Sequence, residues 1–371
     1  MIHLTHYRTA CTTQTELLDD IIFPQKVHWF PETYSKVGTG MFYAPHRLAE
    51  KVLDPELVTS LRENPVGKTA FILAAGNAHF AGINPRNKKA TKLSYEYKFL
   101  PFTLTQVYAG RIAQSMGATD HIVTDSSACA SSMKALMDVQ TLIRFYNYHR
   151  VIVLSLEDAV SNSVLEFFGE AQASLTKKEE DLGIKPSAFD SHNRGFHVGQ
   201  GAVLAVFEDA RTALKGDKKP DAALLGAYTA SEQCQNAIGQ REDGAGFVSA
   251  IEGALSMANR PHDAIRLVKT HGTGTISNNQ AEKKALEILT GDFVATSYKA
   301  KIGHTMGASG LLETCLLLDD LKRGVVPKIE NRTEHDDRFL SHDESDPGGL
   351  ILSLAAGMGN VYSAAVLSTE I

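Results

Sequence analysis

The stretch TDSSACASSMKAL, Thr124–Leu136, places a single cysteine among serines and alanines directly before a helical pattern. A cysteine at a helix N-terminus lies close to unpaired backbone N–H groups and to the positive end of the helix dipole, both of which favour the thiolate. Small neighbours would also let a substrate carbonyl approach the sulfur of Cys129. The alternative is a buried structural cysteine, because free cysteines are among the most often buried residues. By itself, the stretch leaves both interpretations open.

Composition bounds the class of protein. The chain has 371 residues, 43% hydrophobic and 22% charged, which suits one large or two medium globular domains. It has no apolar run of about 18 residues, which predicts no membrane insertion, and its N-terminal segment does not resemble a secretory signal. Four cysteines without a CxxC pair are typical of reduced thiols in a cytoplasmic protein. The net charge of −6 argues against general affinity for nucleic acids.

Apolar runs of strand length alternate with longer helical patterns. Continuous runs suit strands buried on both faces of a sheet, and their alternation with helices favours an α/β fold. The predicted strands are 69–76, 121–125, 150–156, 201–208, 221–228, 264–271 and 349–357. A helix is predicted over 131–147, where the apolar residues at helical spacing are Met133, Leu136, Met137, Val139, Leu142, Ile143 and Phe145.

Two segments of the chain resemble each other. SSACASSMKALMDV and GHTMGASGLLETCLLL, the latter at 303–318, are both loops of small residues that run into an amphipathic helix. The similarity indicates a duplicated architecture. Chance is the alternative explanation, since small residues often precede helices.

Two glycine-rich turns follow apolar strands. In KTHGTGT (269–275), glycines permit tight turns and close approach of a ligand, and the hydroxyls of Thr273 and Thr275 could bind amide or carbonyl groups. In LILSLAAGMGN (350–360), the Gly-Met-Gly turn could direct backbone N–H groups into a site. The alternatives are a structural His271 at a strand end and an ordinary glycine turn.

A third segment, SYKAKIGHTMGASGLLE (297–313), combines a histidine between glycines with a lysine before it and a glutamate after it. His304 could act in a site, or it could be a satisfied loop residue. Lys299 and Glu313 could form a functional pair, or a solvated surface pair of little energetic value.

In their order and spacing, SSACASS, FDSHNRGFHVGQGA (189–202), KTHGTGT and SYKAKIGHTMGASGLLE resemble the β-ketoacyl-[acyl carrier protein] synthases. These are decarboxylating condensing enzymes of the thiolase-like superfamily, here of the elongation type with a Cys-His-His site. The resemblance runs from about residue 69 to the C-terminus. It implies an α/β thiolase-like fold of two duplicated α/β halves in five layers (αβαβα), each half with a five-stranded sheet. The N-terminal half, 1–208, would carry the nucleophilic cysteine, and the C-terminal half, 209–371, the two histidine loops.

The resemblance also implies an activity, that of a 3-oxoacyl-[acyl carrier protein] synthase in fatty acid chain elongation. Cys129 would hold an acyl group, which condenses with malonyl on an acyl carrier protein as CO₂ is lost. His271 and His304 would stabilise the enolate oxygen, and the backbone N–H groups of Cys129 and Met358 would form the oxyanion hole. No metal and no cofactor are implied, because phosphopantetheine arrives on the carrier protein.

Further residues are implied to support this chemistry. Lys299 and Glu313 would form a buried ion pair, and Thr273 and Thr275 would contact the pantetheine arm. The family is usually homodimeric. An acidic carrier protein needs a local basic surface on an acidic enzyme. The densest basic cluster could supply it, or could be a solvated loop, and consists of Arg86, Lys88, Lys89 and Lys92.

Several residues depart from the family's pattern. The C-terminal glycine turn has no second cysteine, unlike the degradative thiolases. Met358 stands where the family usually has a gating phenylalanine, Asn193-Arg194-Gly195-Phe196 replaces RDGF, and Lys301 precedes the Ile-Gly-His motif. Two alternatives therefore stay open: a ketosynthase of specialised polyketide-type synthesis, and a malonyl-decarboxylating or scaffold subunit with weak condensation.

Overall fold

The structure is a computed structural model that describes residues 1–13, 49, 51–76, 105–157, 159, 162–216, 219–233 and 238–371, without the side chains of 162 and 163. Cys234 and the basic cluster predicted to bind the carrier lie outside the described residues. The strands are β1 (Ile2–Thr13), β2 (Thr69–Ala74), β3 (His121–Asp125), β4 (Arg150–Glu157), β5 (Gly199–Asp209), β6 (Ala222–Ser231), β7 (Ile265–Lys269), β8 (Val294–Thr296), β9 (Val325–Val326), β10 (Glu344–Ser345), β11 (Leu350–Gly357) and β12 (Val361–Ser368).

The α-helices of the described residues range from one turn to more than four turns. They are α1 (Pro55–Glu63), α2 (Thr105–Ser115), α3 (Ser131–Tyr146), α4 (Asn162–Glu170), α5 (Lys177–Asp181), α6 (Ala210–Ala213), α7 (Ala245–Ala258), α8 (Ile276–Leu286), α9 (Lys299–Ile302) and α10 (Ser309–Lys322). Within these described segments, none of the helices combines the length and apolarity needed to cross a membrane.

The strands form two halves with the same topology. The sheet order is β3-β2-β4-β5-β1 in the first half and β8-β7-β11-β12-β6 in the second. In each half the first three strands are parallel and the other pairings are antiparallel. Pairing of residues 2–4 of β1 with 222–224 of β6 joins the halves. This repeat confirms the predicted duplicated α/β architecture.

The helices form three layers around the two half-sheets. Helices α3 and α10 pack together in the centre, where Leu136 and Leu318 belong to one large apolar cluster. Helices α1 and α2 cover the outer face of the first half in a cluster with Phe71, and α7 and α8 cover the second in a cluster with Phe247. The five-layer αβαβα order is therefore present, as predicted.

Each predicted strand is present with small shifts in its ends, but five strands were not predicted. These are β1, β8, β12 and the two-residue strands β9 and β10. The predicted helix over 131–147 corresponds to α3. The buried face of α3 ends before the last apolar residue of the predicted helical pattern, because Phe145 in the last turn is 66% exposed.

The two similar loops precede the two central helices in the same way. Each forms one 3₁₀ turn, Ala128–Ala130 or Met306–Ala308, whose first residue has a positive φ of 48° or 45°. The helix starts touch, and the Leu311 N–H donates to Ser132 Oγ at 3.1 Å. Consequently, Cys129 and the loop with His304 lie at the junction between the halves.

Candidate active site

Cys129 lies in the 3₁₀ turn before α3 and borders a cavity of about 370 Å³. The residue is only 7% exposed. Burial raises the pKa of its thiol to about 12, although the positive charge of Lys299 opposes this shift. The resting side chain is therefore a thiol at neutral pH. The backbone N–H at the helix start and the charge of Lys299 do favour the thiolate, but burial outweighs both.

We expect alkylation of Cys129 by iodoacetamide to accelerate steadily from pH 7 to pH 10. The thiolate is the nucleophile, and its fraction grows about tenfold per pH unit below a pKa of about 12. Mass spectrometry of the labelled peptides distinguishes Cys129 from the other cysteines. A rate that levels off near pH 8 would contradict the raised pKa.

His271 lies in the glycine-rich turn after β7. The side chain is 3% exposed and borders the same cavity. The Glu282 carboxylate accepts the N–H groups of His271 and Gly272 at 2.5 and 2.9 Å, which fixes the backbone of the turn. Gly272 is required there because its φ is +52° and an added Cβ would lie 2.3 Å from Ser297 Oγ. Within the described part of the chain, the His271 Nδ1 atom has no hydrogen-bond partner.

His304 lies in the loop before the second 3₁₀ turn and is 2% exposed. Its Nδ1 accepts the backbone N–H of Met306 at 3.2 Å, so in the neutral ring Nε2 carries the proton. The ring packs edge-on against Phe196 with centroids 4.8 Å apart, and its centroid is 5.8 Å from that of His271. Burial, reinforced by the charge of Lys299, lowers the pKa of both histidines well below the usual value. Both are therefore neutral imidazoles at pH 7 and can donate a hydrogen bond without carrying charge.

Lys299 and Glu313 form an ion pair with 2.8 Å between Nζ and Oε1. Their side chains are at most 1% exposed, which excludes the solvated surface pair. Lys299 Nζ also donates to the carbonyl oxygen of His271 at 2.5 Å. The pair thus holds the turn that carries His271.

The Gly-Met-Gly turn between β11 and β12 packs directly on the cysteine loop. A Cβ at Gly357 would lie 2.6 Å from the carbonyl oxygen of Ser127, so only glycine permits this approach. Met358 borders the cavity and packs against the apolar cluster of Cys129, Phe168, Phe196, Val198 and Met306. This turn is therefore placed where its backbone could contribute to an oxyanion hole with the cysteine loop.

Two further predicted residues also border the cavity. Thr273 and Thr275 border it, with their hydroxyl oxygens 3.0 Å apart. In the altered RDGF motif, the buried Asn193 side chain binds the Lys185 N–H and the Asn331 carbonyl. Arg194 borders the cavity instead and pairs with Glu179. No group of three or more His, Cys, Asp or Glu side chains that could hold a metal is present among the described residues.

Comparison with known proteins agrees with these motifs. Residues 49–213 match the sequence model of the β-ketoacyl synthase N-terminal domain, and residues 222–333 match that of the C-terminal domain. This chain belongs to the β-ketoacyl synthase family. Members of the β-ketoacyl synthase family are condensing acyltransferases.

Relatives within the β-ketoacyl synthase family carry two kinds of name. The chain is 28% identical over 285 residues to the ketoacyl synthase alpha subunit of the tetracenomycin polyketide synthase from Streptomyces glaucescens, covering 74% of this chain and 66% of that protein. It is 26% identical over 239 residues to 3-oxoacyl-[acyl-carrier-protein] synthase 2 from Vibrio harveyi, covering 63% of this chain and 57% of that protein. The matched part thus spans less than two thirds of the length of either relative.

A solved structure shows the same fold. It is a complex of a type II polyketide synthase acyl-carrier protein with its ketosynthase bound to the hexaketide. The matching chain is 17% identical, with a TM-score of 0.79, and the match covers 99% of this chain and 98% of that chain. The thiolase-like fold predicted for this β-ketoacyl synthase is thereby confirmed.

Three buried charged residues near the site were not predicted. Glu282 holds the His271 turn, and Lys269 contacts Glu313. Glu157 Oε2 accepts the N–H groups of Gly76 and Gly307 at 2.7 and 3.1 Å, which connects the two halves. Lys269 and Glu157 each close an apolar strand, and a charged residue in that position is the sequence signal that could have identified them.

Proposed function

We propose that this chain is a 3-oxoacyl-[acyl carrier protein] synthase. It transfers an acyl group to Cys129 and condenses it with malonyl carried on an acyl carrier protein. The observation that carries the proposal is the convergence of a buried thiol and two neutral histidines, Cys129, His271 and His304, on one cavity.

In the first step the Cys129 sulfur attacks the thioester carbonyl of an acyl carrier. The thiol loses its proton, and the departing pantetheine thiolate gains one, so the transfer needs no net proton. The N–H groups of Cys129 and Met358 hold the oxyanion, which is worth roughly 10²–10³ in rate for one donor. The packing of Gly357 on the cysteine loop supports this assignment.

In the second step the malonyl C–C bond to the carboxylate breaks, and CO₂ leaves. The electron pair of that bond forms an enolate, which attacks the acyl carbonyl and displaces the Cys129 thiolate. The thiolate takes up one proton, which a thiol pKa of about 12 favours. His271 and His304 donate hydrogen bonds to the enolate oxygen, and the Nε2–H tautomer of His304 suits this role.

The test uses the purified chain with malonyl-carrier and a series of acyl-carriers. Release of CO₂ together with a 3-oxoacyl product, both followed by mass spectrometry, is the expected result. Release of CO₂ without that product would instead favour the decarboxylating or scaffold subunit. If the chain neither self-acylates nor releases CO₂, the proposed function is wrong.

The pathway in which the chain acts has two candidates, fatty acid elongation and polyketide-type synthesis. Fatty acid elongation adds one malonyl unit before the 3-oxo group is reduced elsewhere. Polyketide-type synthesis is favoured by the ketosynthase named for tetracenomycin, and it would add several units without reduction. Without a reductase, a single extension per acyl-carrier supports the first candidate, and poly-β-keto products support the second.

We also propose that the partners are an acyl carrier protein and a second copy of the chain. The carrier complex of the structural relative supports the first partner. Strand β3 supports the second, because it lies at one edge of the sheet and its first residues are exposed or half-buried. Sedimentation at twice the monomer mass is the expected result, and a monomer at micromolar concentration would contradict it.

Met358→Phe should slow acylation by long acyl-carriers more than by short ones and should reduce hydrolysis of the acyl-enzyme. Methionine is unbranched and adapts to different shapes at low cost, whereas a phenylalanine ring must swing as a unit and covers the thiol more completely. Acylation rates across chain lengths check this expectation, with Met257→Phe on the outer helix α7 as the matched control. Identical rate profiles in the wild type and Met358→Phe would show that Met358 only fills space.

A further inference from the structure

Lys269 is a second lysine on the buried carboxylate behind the histidines. It is the last residue of β7 and is fully buried. Its Nζ donates to the carbonyl oxygen of Leu354 at 2.8 Å and lies 3.3 Å from Glu313 Oε2. Lys299 occupies Oε1 of the same carboxylate. A single glutamate therefore bridges two ammonium groups from different elements.

This arrangement places two positive charges on one buried carboxylate. The charged groups that act on Lys269 are Glu313 on α10, Lys299 on α9 and Glu282 on α8, the last being the carboxylate that binds the His271 turn. Burial lowers the pKa of Lys269 to about 8 although Glu313 opposes the shift. The folded state thus disfavours the charged form, so the ammonium destabilises the fold at pH 7, and this cost is relieved only as the pH rises above about 8.

Packing alone does not explain a lysine at position 269, because its buried ammonium lowers the stability of the fold. A methionine of similar size would fill the same space without needing a counter-charge. The positive charge of Lys269 does act on the two histidines of the site. Together with Lys299, Lys269 acts on both His271 and His304 and favours their neutral forms. The same field would stabilise negative charge that develops on an enolate beside these rings.

We propose that Lys269 is a positioning residue that holds Glu313 and Lys299 behind the His271 turn and supplies a second positive charge to the enolate-forming step. The proposal rests on the proposed function, because it assigns a role within malonyl decarboxylation. Lys269 acts through the carboxylate and the neighbouring lysine, and it does not border the cavity that Cys129 borders.

The test is Lys269→Met, compared with Lys284→Met. Lys284 pairs with Glu287 at the surface of α8 and serves as the matched control. We expect Lys269→Met to lower kcat for malonyl decarboxylation by about tenfold, a size consistent with loss of one partly screened charge, while KM for the malonyl-carrier changes little. Its melting temperature should stay equal or rise, because the cost of burying the Lys269 ammonium is gone.

The pH profile separates this role from a structural one. In the wild type and in Lys284→Met, decarboxylation should fall as the pH rises through about 8, where Lys269 loses its proton. In Lys269→Met this decline should be absent. A lower melting temperature with unchanged kcat and an unchanged pH profile would overturn the proposal. A wild type that releases no CO₂ would instead contradict the proposed function, so the two failures are distinguishable.

Discussion

Cys129→Ala should reduce self-acylation and condensation by about 10⁵-fold or more, because among the described residues no other cysteine borders the cavity, and loss of a covalent nucleophile typically has effects of this size. Decarboxylation of malonyl-carrier should persist, since the enolate-stabilising histidines remain. Intact-mass measurement of the acylated chain and CO₂ release measure the two steps separately.

The matched control is Cys315→Ala in the central helix α10. Cys315 is buried, as Cys129 is, and burial likewise raises the pKa of its thiol, but Cys315 belongs to the apolar core and does not border the cavity. This variant should lose some stability and keep its acylation. Acylation that persists in Cys129→Ala, or disappears in Cys315→Ala, would contradict the assignment of the nucleophile.

His304→Ala and His271→Ala should each lower malonyl decarboxylation by roughly 10²–10³, the usual loss on removal of one preorganised donor. Self-acylation of Cys129 should continue in both. His304→Gln should recover part of the rate, because its amide N–H can reach toward the position of Nε2–H. Release of CO₂ and acylated mass, measured in parallel, check the expectation.

The surface residue His342, paired with Glu344, provides the control His342→Ala, which should behave as the wild type. The pH dependence adds a further check. Because burial lowers the pKa values of His271 and His304 well below the usual value, both rings stay neutral at a pH where a free imidazole would take up a proton. Activity limited by histidine protonation near pH 6.5, or normal CO₂ release from either alanine variant, would contradict neutral donors.

Local patterns in the sequence were sufficient for much of the fold. The strands β2, β4 and β5 are continuous apolar runs because parallel and central strands are buried on both faces, and this burial is visible in composition alone. The two small-residue loops predicted the duplication, because each must fit a helix start into the crowded junction between the halves. Gly310 shows this crowding, since an added Cβ would lie 2.1 Å from Met133 Cγ.

Strand β1 was missed because its residues, IHLTHYRTACTT, look half polar. His3 and Thr5 are nevertheless buried, since β1 pairs with β5 along its length and with β6 at its start. Only the pairing of distant segments creates that environment. No local pattern of polar residues could predict it.

The candidate site likewise has features that the sequence predicted and features that only the tertiary structure decided. The resemblance of the ordered motifs to the β-ketoacyl synthases selected Cys129, His271 and His304, whereas each motif alone left a structural interpretation open. Tertiary structure alone decided their charge states. Cys129 is a thiol, although a helix start favours the thiolate, because α3 begins inside the junction where residues from both halves exclude water. The role proposed for Lys269 depends on its contact with Glu313, which lies 44 positions away along the chain and is brought close only by the fold. Charge and burial depend on every neighbour in space, whereas a motif depends only on neighbours in sequence.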